Sequence, residues 1–233
     1  MAVSPHTDAA FLREVDEELR RDQLVGFGRR WGLWVAAAII AGLIAFAGYL
    51  FWQHHRAQVA GEQGEQLSQA YDALVKQQFA KADPMLAKLA TDGSDGFRAL
   101  AIFTQADLLL KKNDLKGAAA KFASVAGDEG MAKPFRDLAL IRQTAAEYDT
   151  LKPSMIVGRL RPLATKGSPW LGSAGEMVAA AYLNEGRRDL AGRLFGQIAQ
   201  SQDAPPTLRQ RAVQMAGVLG VDAIASNEEA QAK

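Results

Sequence analysis

Few side chains in this chain of 233 residues are of a kind that does chemistry, and their positions limit what that chemistry can be. There are three histidines, His6, His54 and His55, and no cysteine. Disulfides, thiolate metal sites and cysteine nucleophiles are therefore excluded, while an oxidising compartment is permitted. His54 and His55 are adjacent with no further ligands at metal-site spacing, and read as an interfacial polar cap. The run TDGSDG at 91–96 lacks the lysine and following hydroxyl of a nucleotide loop and the later acidic residue of a calcium loop, so it reads as a turn. Asp128 and Glu129, in GDEG, are paired carboxylates in a loop, where solvation is the ordinary state. Zinc-protease motifs, phosphate loops and nucleophile elbows are absent. The expectation is a protein that is not an enzyme, uses no cofactor or metal, and acts by binding.

The elements that would position a binding surface begin with a membrane anchor. From Trp31 to Trp52, WGLWVAAAIIAGLIAFAGYLFW, no charged or amide side chain occurs. A helix of that length, at about 1.5 Å per residue, spans the roughly 30 Å hydrocarbon core. A cleaved secretory signal has a shorter apolar region and a short basic start. Here a charged run, REVDEELRRD, comes first. Trp31, Trp34, Tyr49 and Trp52 stand where amphipathic rings favour the two interfaces. Ala38, Gly42 and Ala45 form a small-residue face for packing against another membrane helix, with ordinary lipid-facing composition as the alternative. Arg13, Arg20, Arg21, Arg29 and Arg30 precede the span and only Arg56 closely follows it, which places the N-terminus in the cytoplasm and the remainder, in a bacterium, in the periplasm.

Before the span, FLREVDEELRRDQL reads as a charged helix with the stripe Phe11, Leu12, Val15 and Leu19, and with Asp16–Arg20 and Glu17–Arg21 pairs. Its functional reading is a cytoplasmic dock, against that of a solvated charged helix. After Trp52, 22 Lys and Arg face 20 Asp and Glu, so no basic field suggests nucleic acid. A small-molecule substrate is likewise not expected.

Beyond residue 60 no strand-type alternation appears, and Ala, Leu, Lys and Gln recur at helical spacing. Breakers at 92–96, 111–114, 127–130, 151–154, 165–169, 185–189 and 202–206 cut this part into helices of about 12–18 residues. QADLLLKKNDLKGAAAKFASVA (105–126) resembles VAAAYLNEGRRDLAGRLFGQIA (178–199). Each has a small residue in a first helix (Ala106, Ala179), a polar turn, then Ala, three residues and Phe. Small/large pairs recur at Ala82/Leu86, Ala118/Phe122 and Ala191/Phe195, with a degenerate version at Ile156/Leu160, so the large residues are 36, 38 and 35 apart. That period is the signature of paired, stacked helices. The fold class is therefore all-α: one N-terminal transmembrane helix, then a tetratricopeptide-like α-solenoid of about four helix pairs with a C-terminal capping helix, PPTLRQRAVQMAGVLGVD, whose Arg209, Arg211 and Gln214 face outward. The expected divisions are a charged tail at 1–30, the span at 31–52, a linker at 53–60, the solenoid at 61–220 and a flexible tail at 221–233.

In this layout, from the EVDEELRRDQL tail through the apolar span to repeats ending GQIAQSQDAPPTLRQRAVQMAGVL, the chain resembles the family of ancillary SecYEG translocon subunits. The resemblance implies an inner-membrane protein beside the secretion channel, with the translocon, a periplasmic chaperone and newly exported chains as partners. Tetratricopeptide residues are packing residues, so this resemblance speaks chiefly to fold and topology.

A solenoid binds through a concave face lined by the first helix of each pair. The candidates are Phe103, Asp107 and Leu110, then Ile141, Ala145 and Tyr148, then Glu176, Ala180 and Leu183, with core packing as their alternative reading. Such a face suits an extended or helical segment with hydrophobic side chains. Two other functions fit the same layout: an assembly factor for envelope complexes, and a transmembrane regulator acting through the charged tail.

Overall fold

The computed structural model describes the backbone of residues 6–222 and the side chains of residues 29–222. The expected stripe and ion pairs of the charged tail, and the tail beyond residue 222, lie outside the described residues. All secondary structure among the described residues is helical.

The chain divides into two compact units, one up to Gly61 and one from Glu62. α1 (His6–Val75) holds the apolar stretch and then supplies the first helix of the solenoid. The segment expected to link span and solenoid, 53–60, is helical: QHHRAQVA contains neither Gly nor Pro. In the first unit the apolar stretch is the one candidate span among the described residues, by length and composition, and its side chains are not buried. Leu33 is 83% exposed and Phe51 74%, quite unlike a helix in the core of a soluble domain.

In the second unit, α2 (Phe79–Asp92) packs on the end of α1, α3 (Asp95–Lys111) pairs with α4 (Leu115–Ala126), α5 (Lys133–Ala146) with α6 (Pro153–Leu160), and α7 (Leu171–Asn184) with α8 (Arg188–Gln200). α9 (Pro206–Val218) closes the stack against α8. Every expected packing position is buried: Ala82, Leu86, Ala118, Phe122, Ile156, Leu160, Ala191 and Phe195, with Ala106 and Ala179 opposite them. The core runs in three layers. Leu67 and Ala70 of α1 meet Leu86 and Leu89; Phe103 and Phe122 head the middle layer; and the largest layer joins α5 through α9. α6 falls short of the expected helix length because Pro162 has no N–H and cannot extend it.

The turns inside the pairs share one device. Gln77 (φ 59°), Asn113 (φ 60°) and Gly186 (φ 74°) stand five residues before Ala82, Ala118 and Ala191, each in the left-handed region. The residue after each returns its N–H to the carbonyl five residues back: Gln78 to Ala73 at 2.8 Å, Asp114 to Leu109 at 2.9 Å and Arg187 to Tyr182 at 2.8 Å. This closes the first helix and turns the chain directly into the second. The third pair has no such residue among its described turn positions, and Pro153 starts α6 after extended Lys152.

Val221, the first residue of the tail expected at 221–233, is held against the solenoid. The Val221 N–H bonds the Ala216 carbonyl at 2.9 Å, and its side chain lies against Gly192, where a Cβ would stand 2.9 Å from Cγ2.

Candidate binding face on the first helices

The end of α1, α3, α5 with the turn that follows it, α7 and the capping helix α9 are tied in succession by polar links that span 29 to 35 residues. The Tyr71 and Thr104 hydroxyls are 3.3 Å apart. Arg142 donates to both Asp107 oxygens, one bond at 3.3 Å and the other closer. The Tyr148 hydroxyl donates to the Met177 carbonyl at 3.4 Å. Arg211 grips Glu176 with two bonds, 2.6 Å from Nε and 2.8 Å from a terminal nitrogen. Asp107/Arg142 and Glu176/Arg211 are each 35 residues apart, the repeat period itself. That spacing of opposite charges is the signal in the sequence that would have found the ladder.

Against this geometry the expected face changes in part. Phe103 is buried, 5.8 Å from the Phe122 ring centroid, with the Arg142 guanidinium 4.7 Å over Phe122. Ile141 is buried in the largest core layer. Both take the alternative reading, core packing, because a first helix is covered by its own partner and by the neighbouring pair. Asp107 and Glu176 are surface residues engaged in the ladder. Ala145 is exposed; Leu110, Tyr148, Ala180 and Leu183 are half-buried, with Leu110 on the middle layer and Tyr148 and Leu183 on the largest. Arg209, expected to face outward, is half-buried, whereas Gln214 is exposed. Tyr71, Leu100 and Thr104, not singled out in the sequence, lie on the same helices, with Tyr71 and Leu100 exposed.

Electrostatics follow from these contacts. Burial, and then the Asp149 charge, raises the Tyr148 phenol above its ordinary 10.0. The hydrogen bonds and charge of Glu176 hold Arg211 protonated beyond its already high ordinary value. Asp128 of the GDEG loop is half-exposed, pairs with Arg98 at 3.1 Å and accepts the Gly130 N–H at 2.9 Å, so it fastens the α4–α5 turn. Among the described residues no three His, Cys, Asp or Glu side chains gather as a metal site. In the first unit Ala38, Gly42 and Ala45 are exposed, and a Cβ on Gly42 would meet open space.

A family model for the tetratricopeptide repeat-like domain matches residues 26–216. The chain belongs to the tetratricopeptide repeat-like family. Neither curated proteins nor solved structures give a match. The match runs from just before the apolar segment to the last turn of α9, so the tetratricopeptide repeat-like region takes in both units. Tetratricopeptide repeat-like domains are protein-interaction modules: each helix pair buries its apolar face only by stacking, and the stack exposes a long row of side chains.

Proposed function

We propose that the protein is a membrane-anchored, noncatalytic scaffold that binds protein segments along its first helices, an accessory of the Sec translocon that assists newly exported chains. The observation that carries the binding reading is the row of first helices, held in register by the ladder, that leaves Tyr71, Leu100 and Ala145 at the surface. The apolar stretch, long enough to span a bilayer and with its side chains exposed, supports the anchor. The excess of arginine before the span supports a cytoplasmic N-terminus in the bacterial inner membrane and a periplasmic solenoid. Partners beyond "protein" rest on the resemblance in layout: the SecYEG channel, a periplasmic chaperone and the exported chains themselves. Ala38, Gly42 and Ala45 are the proposed packing face toward a helix of the channel.

The test is photo-crosslinking in intact cells from Leu43 in the span and Leu100 in the solenoid, both exposed. Adducts to channel subunits from Leu43 and to exported chains or a chaperone from Leu100 are expected. Adducts to another envelope complex with the channel absent refute the translocon role and favour an assembly factor. Because the chain has no cysteine, Asp203→Cys supplies a single thiol. Its labelling in intact cells by a reagent confined to the periplasm is expected, and labelling only after lysis overturns the orientation.

A further inference from the structure

We infer that the groove beside α7 and α9 takes an extended peptide segment presenting a lysine or arginine next to a large apolar side chain. This rests on the protein-binding reading and adds to it a place and a ligand chemistry. The groove has a volume of ≈ 490 Å³ and lies among the start of α7, the α8–α9 connection and α9. Its apolar surface comes from Trp170, Leu208 and the prolines Pro169 and Pro205. Gly172 lets this surface close up, for Leu208 Cδ2 lies 2.6 Å from where a Cβ would stand.

The volume falls within the roughly 300–1,000 Å³ of ligand pockets. The groove is half open, however, and a small molecule there would keep much of its surface in water. A chain segment passing through can bury one or two side chains and leave by either end. An aromatic ring in a groove wall, here Trp170, is also a feature of surfaces on which extended segments dock.

The sign of the ligand's charge follows from the ion pairs. The one arginine in the lining, Arg211, spends two donors on Glu176. Asp203 lines the same groove, is exposed, and has no hydrogen bond or ion pair among the described residues. One negative charge is left uncompensated, which disfavours an anion and favours a cation. The half-buried Trp170 indole adds a ring of the kind that attracts ammonium and guanidinium groups.

The test uses the full chain in lipid nanodiscs and fluorescent Gly/Ser peptides whose centres are Leu-Lys-Leu, Leu-Gln-Leu or Leu-Glu-Leu, followed by anisotropy. The Lys peptide is expected to bind tightest, and Asp203→Lys to weaken it about fivefold while moving the preference to the Glu peptide. Thr207→Trp, an exposed change that fills the groove, is expected to block all three with the helical content unchanged. An unchanged ranking in Asp203→Lys, or undiminished binding in Thr207→Trp, overturns the groove. If the peptides do not bind while Leu100 still crosslinks exported chains, the groove falls and the scaffold reading stands. Failure of both refutes both.

Discussion

Phe122→Ala tests whether the solenoid is stabilised layer by layer. Phe122 is fully buried at the centre of the middle core layer, packed on Phe103 and beneath the Arg142 guanidinium. Truncating a buried phenylalanine costs about 3–5 kcal/mol, and loss of the cation–π contact adds up to about 1. Total stability for a domain is about 5–15 kcal/mol, so the change removes a large share of it. Substantial contacts in the solenoid run only between sequential helices and successive first helices, so the loss should fall on α3, α4 and α5. Amide hydrogen exchange read by mass spectrometry is the assay. Residues 95–146 are expected to open about a thousandfold more often, the equivalent of roughly 4 kcal/mol, while 171–218 keep most of their protection. Urea unfolding followed by circular dichroism should then split into two steps. Equal loss of protection across 62–222 in one transition, or an effect below about 1 kcal/mol, would refute the layered account.

Three further outcomes follow from local geometry. Gln77→Gly relieves a left-handed glutamine at φ 59° and is expected to stabilise by about 1 kcal/mol in thermal melts, whereas Asn113→Gly should gain less because asparagine tolerates that region. Gly192→Val places side-chain atoms in the space held by Val221 and Leu219, so limited proteolysis should cut after α9 sooner than in the parent chain. The raised Tyr148 phenol means its neutral form stabilises the fold fully below the ordinary tyrosine value of 10.0, and that stability is lost as pH rises through the higher folded value. Tyr148→Phe should therefore weaken the alkaline unfolding step, and should remove a phenol that titrates above 10.0 from the ultraviolet absorbance titration.

The packing positions were legible because they depend on one repeated demand: a small residue where two helices approach and a large one where the groove must be filled. The degenerate Ile156/Leu160 pair is buried at the same places, although Ile156 is not small. The binding face was less legible. Helical spacing identifies which residues share a stripe, but in a stack each first helix is covered from two sides, and Phe103 and Ile141 are consumed by that second coverage. Asp107 and Glu176 were placed on the right helices without their partners, since charge pairing one repeat away shows only when opposite charges are compared at the repeat period. The left-handed Gln77 carries no compositional mark, unlike Gly186 at the equivalent place. The groove near Trp170 draws on three stretches of chain, 169–176, 203–205 and 207–211, and no single stretch points to it.

Contacts that reach no further than one repeat also bear on how the chain acquires its structure. No pairing has to wait for the far end of the polypeptide, so the search cost of closing long loops is absent. The solenoid is expected to consolidate in the order of synthesis, each pair acting as the template for the next. Arrested nascent chains ending after Ala126 should already resist protease over α2 and α3; persistent sensitivity until α9 has emerged would show instead that the cap is required first.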